Sequence, residues 1–285
     1  MLKNITDRVY YKPHFQPTDR PALGLVNGDN FSLVVDAGNS PNHALEFLEN
    51  AKTMDIAPLK FLAITHWHWD HIFGIHTMDL VTFSHMDTKK KVDYLSTLKW
   101  DDESLDMRVQ TGEEIEFCRG MIKLEMPERD SLLLESPTLS FSDKMEVDLG
   151  NVTCVIEHVG GVHATDSSIV YIPEEKVMFL GDCISPDFYS GDWSYDRKEL
   201  QILFNKIRKY EVDYYLSSHN EPETHAELWD ELNGLTELGD IVGDGVSLES
   251  AAARFKEKKN KAPNEEERTL MEYFINGNKK IQAKA

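Results

Sequence analysis

Residues 65–71 read Thr-His-Trp-His-Trp-Asp-His and set three imidazoles and a carboxylate, His66, His68, Asp70 and His71, within six positions. An apolar run, residues 61–64, leads directly into them. Histidine and aspartate are costly to bury without partners, so packing explains this pattern poorly. Neutral imidazole nitrogen and carboxylate oxygen are natural ligands of zinc and its neighbouring metals. Alternate side chains of an extended turn share a side. His66 and His68 therefore converge on one ion, and Asp70 and His71 face a second position.

Such a loop needs rigid elements behind it. Residues 9–38 read as short strands joined by turns, and Asn27-Gly28 between the apolar runs 23–26 and 31–35 signals a hairpin, because both residues tolerate positive φ. Ala44, Phe47, Leu48 and Ala51 give residues 43–54 helical spacing, and 61–64 form the next strand. A strand, a helix, a strand and then a ligand loop at the strand's carboxyl end is a usual site position in α/β layer proteins. Further on, 81–83 read as a strand and 87–98 as a helix. Within 100–137 a helix is expected over 113–125 and an ordered loop over 127–137; an insertion between metal motifs shapes a substrate pocket. Residues 138–141, 144–149, 152–158, 168–172 and 176–180 are read as successive strands, 198–210 as an amphipathic helix and 214–216 as the last strand. The remainder is helical, with Ser247 capping 248–259 and Asn264 capping 265–276.

The net charge of −20 over 285 residues argues against a nucleic-acid partner. The basic cluster at 256–261 reads as a solvated helix end. Apolar runs are too short to span a bilayer, and the first residues lack the apolar core of a signal peptide, so a cytoplasmic protein with no membrane partner is expected. Cys118, Cys154 and Cys183 are odd in number and widely spaced, which suits buried free thiols better than disulfides or a Cys-x-x-Cys site.

Four ligands do not close two metal sites, and three more are expected near strand ends. His163 in Gly160-Gly161-Val162-His163, Asp182 in Phe179-Leu180-Gly181-Asp182, and His219 after Ser217-Ser218 fit. His158 rivals His163; the spacing from His163 to Asp182, a strand, a turn and a strand, favours His163. His14, His43 and His225 are read as surface residues, and His76 and His85 as candidates to line the site. Phe188, Tyr189, Trp193 and Tyr195 suit a core, a lid or a substrate wall equally.

With these residues in view, the chain from about position 23 to 222 resembles the metallo-β-lactamase fold superfamily. The resemblance implies an α/β (α+β) fold, a four-layer αββα sandwich. Residues 1–225 would form the catalytic domain, and 226–285 a helical extension packed on it. It implies two divalent metal ions, zinc first, with manganese or iron as alternatives. His66, His68 and His163 would hold one ion, Asp70, His71 and His219 the other, and Asp182 would bridge them. Asp36 matches an acidic position that orients a ligand imidazole. Two departures reshape loops without removing a ligand atom: Val162 and Ala164 flank His163 where the family usually has glycine and threonine, and Ser218 precedes His219 in place of glycine.

The implied activity is hydrolysis of an ester, thioester, lactone or lactam bond of a small molecule by a metal-bridging hydroxide. Asp70 would also handle the proton, and Tyr189 and Trp193 would contact substrate. A lactonase or thioesterase of small acyl metabolites fits best. The alternative is a di-iron redox or oxygen-responsive protein on the same fold; a phosphodiesterase fits less well. A homodimer is left open.

Overall fold

The computed structural model describes residues 1–284. Two sheets face each other between two layers of helices. The first sheet has seven strands in chain order: β1 (Lys3–Asn4), β2 (Val9–Lys12), β3 (Leu23–Asn27), β4 (Ser32–Val35), β5 (Leu59–Ala63), β6 (Val81–His85) and β7 (Leu139–Phe141). Its first four strands run antiparallel, and β4 to β7 run parallel. The second sheet holds β8 (Lys144–Asp148), β9 (Thr153–His158), β10 (Ser168–Ile172), β11 (Val177–Gly181), β12 (Tyr214–Ser217) and β13 (Glu223–Thr224), with only β11 and β12 parallel. The helices are α1 (Pro41–Ala51), α2 (Trp69–Ile72), α3 (Ile75–Met78), α4 (Met86–Leu95), α5 (Asp102–Thr111), α6 (Glu116–Glu125), α7 (Arg197–Ile207), α8 (His225–Val242), α9 (Leu248–Lys259) and α10 (Glu265–Lys284).

Side-chain alternation assigns the layers. In β10, Ile169 and Tyr171 face the outer helices while Val170 and Ile172 face the other sheet; in β11, Met178 and Leu180 face outward and Val177 and Phe179 inward. That period of two follows from the pleat. Three apolar clusters result. One lies between the sheets, around Val26, Leu33, Ile156 and Phe179. A second joins the first sheet to α1, α4, α5 and α6 through Phe47, Val92, Leu105 and Ile122. The third joins β9–β12 to α7–α10 through Leu203, Leu232, Phe255 and Phe274, so the C-terminal helices share one core with the second sheet. Two faced sheets flanked by helices are the αββα sandwich.

Several expectations need correction. His43 is fully buried, because α1 begins at Pro41 and His43, Phe47 and Ala51 form one buried stripe; His225 is exposed and His14 partly so. The 100–137 stretch carries α5 as well as the helix expected near 113–125; the sequence of α5 is polar, and only Leu105 and Arg108 are buried. α10 runs on to Lys284, well past position 276, while Asn264 caps it as expected, accepting from Glu267 N–H at 2.7 Å.

Candidate metal centre and adjoining cavity

The candidate ligands sit where the two sheets meet, on loops that leave strand ends. β5 releases the chain through Ile64 and Thr65 to His66 and His68, and His68 then opens α2, whose single turn presents Asp70 and His71. His163 stands between β9 and β10, Asp182 directly follows β11, and His219 follows β12. The Ser168 N–H donates to the Thr65 carbonyl at 2.8 Å, tying the two sheets together at the site. Gly181 is required here: it has φ +55°, and a Cβ would lie 2.7 Å from Thr65 Oγ1.

Two groups of ligand atoms form. His66, His68 and His163 make one; Asp70, His71, Asp182 and His219 make the other, and within each the atoms lie within 4.8 Å of one another. One oxygen touches both groups: Asp182 Oδ2 is 3.6 Å from His163 Nε2 and 3.4 Å from both His71 Nε2 and His219 Nε2. All seven candidates from the sequence are thus brought together.

The ring orientations are held from behind. Asp36 Oδ2 accepts from His71 Nδ1–H at 2.8 Å, and the two Asp36 oxygens also accept from the Thr65 N–H at 2.8 Å and its hydroxyl at 2.9 Å. With that hydroxyl proton committed, Thr65 Oγ1 accepts from His66 Nδ1–H at 3.1 Å. His163 Nδ1–H donates to the Pro186 carbonyl at 3.0 Å. Each bond places the proton on Nδ1 and turns the Nε2 lone pair inward. The Nε2 atoms of His66, His68, His71 and His163 are all buried without a hydrogen-bond partner. Those of His66, His68 and His163 are orphaned acceptors around one space, which a cation would satisfy.

The charges agree. Burial, then neighbouring imidazoles, push His66 and His68 well below the usual histidine range, and burial lowers His163, so all three favour the neutral form. Burial alone would raise the Asp70 and Asp182 carboxyls, but the adjacent His71 and His219 outweigh it and hold both low. Burial opposes charge on His71 and His219 too, and the surrounding carboxylates overcome it. A divalent cation would replace those protons. Two nitrogen-rich and oxygen-containing sets without a thiolate fit zinc, manganese or iron.

A cavity of about 240 Å³ opens onto both groups. Its walls include Trp69, Ile115, Phe117, Cys118, Phe188, Tyr189 and Trp193, and among the described residues no lysine or arginine lines it. Tyr189 packs on the His68 ring with centroids 4.8 Å apart, and its hydroxyl reaches Cys118 Sγ at 3.3 Å. Tyr195 is a core residue. His76 is exposed and pairs with Glu135, and His85 stacks on His158 at 3.9 Å, so none of these three histidines is part of the wall or of either ligand group. One cavity residue had no signal in the sequence. Asp19 arrives from a 3-10 turn at Gln16–Thr18, and its Oδ1 lies 3.6 Å from His219 Nδ1; burial and then Asp70 push its carboxyl up to about 7.

Comparison with known proteins agrees with this geometry. Residues 22–219 match the family described as the metallo-beta-lactamase superfamily, a span from just before β3 to the last candidate ligand, His219. The chain belongs to the metallo-β-lactamase superfamily of metal-dependent hydrolases. Two curated members are similar: the acyl-coenzyme A thioesterase MBLAC2 of Homo sapiens, 24% identical over 67% of this chain and 68% of its own length, and that of Bos taurus, 23% identical over the same shares. Among solved structures, a metallo-β-lactamase from Pontibacter korlensis superposes with TM-score 0.56 at 18% identity, over 82% of this chain and 97% of its own. The sec-alkylsulfatase Pisa1 from Pseudomonas sp. superposes with TM-score 0.65 at 15% identity, over 97% of this chain but 48% of the sulfatase. At these identities the two structures speak for the fold alone. No helix among the described residues is long and apolar enough to cross a membrane.

Proposed function

We propose that this superfamily member hydrolyses thioesters of small acyl groups at a binuclear zinc centre. The observation that carries this reading is the apolar, aromatic-walled cavity ending on two adjoining ligand groups. A wall of this kind takes an apolar acyl group, and among the described residues no lysine or arginine lines it to bind an anionic one away from the ligand groups. The name of the MBLAC2 relatives points to the same bond.

In this reading His66, His68 and His163 hold one ion, Asp70, His71 and His219 hold the other, and Asp182, within reach of both groups, is shared. When bound, the two ions would supply a water that is deprotonated near neutral pH and a Lewis acid for the carbonyl oxygen. The protein's own part is positioning. Phe117, Phe188, Tyr189 and Trp193 hold the acyl chain and exclude water, which brings the carbonyl against the ligand groups. Asp70 takes up the proton that stays on the attacking oxygen once the carbon–oxygen bond has formed, and passes it to the sulfur as that leaves. The carbon–sulfur bond then breaks, giving a carboxylate and a thiol; a thiolate leaves with little acid assistance because its conjugate thiol has a pKa near ~8.5. The ester, lactone and lactam readings share this geometry but call for more help to the leaving group.

The test is a metal-loaded assay of acyl thioesters, acyl-coenzyme A first, against esters, lactones and phosphodiesters, with elemental analysis per chain. Thioester turnover at the highest kcat/KM with about two zinc ions supports the proposal. A lactone or phosphodiester favoured by ~tenfold or more would displace it, given that ~1.4 kcal/mol in the barrier is tenfold in rate. Two irons with oxygen uptake would favour the redox alternative.

A further inference from the structure

The aromatic wall is carried by the loop between Asp182 and α7, and that loop is fastened by the far end of the chain. The backbones of Asp187 and Ser194 bond each other at 2.9 and 3.2 Å and close the segment that bears Phe188, Tyr189 and Trp193. Asp187 Oδ1 accepts from the Tyr189 and Ser190 N–H groups, both at 3.0 Å. From α10, Lys280 Nζ spans the base of this segment, 2.7 Å from Ser194 Oγ and 3.2 Å from Asp187 Oδ2. Asn276 Nδ2 donates to the Trp193 carbonyl at 3.1 Å, and the Tyr195 N–H donates to the Tyr273 carbonyl at 3.0 Å. Gly277 lets α10 come this close: a Cβ there would lie 2.0 Å from the Tyr195 carbonyl oxygen.

We propose that α10 braces the substrate wall, with Lys280 and Gly277 as positioning residues that set which acyl groups the cavity accepts. The helix is seated independently of these contacts, because Met271, Phe274 and Ile275 bury themselves in the cluster shared with α8 and α9. Losing the Lys280 bonds therefore loosens the base of the wall without unseating the helix, while the Asn276 and Tyr273 bonds remain. Neither residue touches substrate. Both act through Phe188, Tyr189 and Trp193, so the effect falls on acyl selectivity and KM while the ligand groups stay intact.

The kinetic half of the test rests on the thioester reading; an optical readout does not. Trp69, Trp100 and Trp229 are buried and Trp67 is half-buried, whereas Trp193 is 45% exposed, so the part of the acrylamide quenching that a Trp193→Phe control removes follows the wall. In the metal-loaded full chain, Lys280→Met raises the quenching of Trp193 and leaves metal per chain unchanged. It lowers the kcat/KM ratio of a long-acyl to a short-acyl thioester by ~tenfold, mainly through KM, as expected when a reactant loses its aligned pose. Gly277→Ala, straining the neighbouring approach of α10 to the Tyr195 carbonyl, shifts both readouts in the same direction. Wild-type quenching and selectivity in both folded variants would overturn the brace. Increased quenching in Lys280→Met with no thioester turnover by the wild type would uphold the brace and sink the thioester reading.

Discussion

Asp36 shows how one side chain can set the chemistry of another that it never joins at the metal. It has φ +62°, a conformation asparagine tolerates, so Asp36→Asn keeps the backbone. The change strikes the bond to His71. An amide NH₂ presented to Nδ1 pushes the imidazole proton to Nε2, the atom facing the ligand group, where it opposes a cation. The alternative amide orientation points that NH₂ at the Thr65 N–H, which needs an acceptor. Either way the second ligand group is weakened. Chelator competition on Asp36→Asn should give affinity ~10–100-fold lower for one of two ions. Equal wild-type affinity for both ions would show that Asp36 serves only the fold.

At the scale of elements, the parts readable from the sequence were those whose signal is local. His66, His68, Asp70 and His71 lie in one short run, and His163, Asp182 and His219 each adjoin a strand with a clear apolar pattern. What escaped depends on contacts made across the fold. Asp19 belongs to a turn whose approach to His219 is decided by how the loop between β2 and β3 packs. α5 shows little apolar period because it lies on the surface of the layer and buries few residues. The burial of His43 has a local signal too, since it shares the i, i+4 stripe with Phe47 and Ala51. The inserted helix α6 bears on function directly: Cys118 and Ile122 bury against the first sheet's outer layer, while Phe117, 50% exposed, is turned to the cavity. Phe117→Ala should therefore leave the melting temperature nearly unchanged, yet raise KM for a long-acyl substrate by ~tenfold, about the ~1.5–3 kcal/mol of a buried aromatic side chain partly lost. An unchanged KM would place the acyl chain elsewhere.

Across the whole molecule, the site is a liability without its ions. Four buried imidazole nitrogens lack partners, and Asp70 and Asp182 stand beside one another with only His71 and His219 to balance them. A ligand bound only by the folded state stabilises by mass action, ~2.7 kcal/mol at a hundred times its Kd, so chelation should lower the melting temperature and readdition should restore it. A melting temperature indifferent to chelator would mean that no structural ion is held. Removing the ions also exposes a second dependence, on acid, that belongs to the core. His43 is fully buried with both ring nitrogens unpartnered, and burial, followed by nearby Arg20 and Lys12, holds it well below the usual histidine range. Its unfolded counterpart titrates near ~6.5. Between those values the unfolded chain binds the proton that the folded chain refuses. Stability thus rises with pH through this window and is lost as pH falls below ~6.5. Urea unfolding of chelated protein at pH 7.5 and 5.5 should show that loss, and His43→Leu should lose less over the same interval, whatever its stability at pH 7.5. Equal losses would move the acid sensitivity from His43 to other groups.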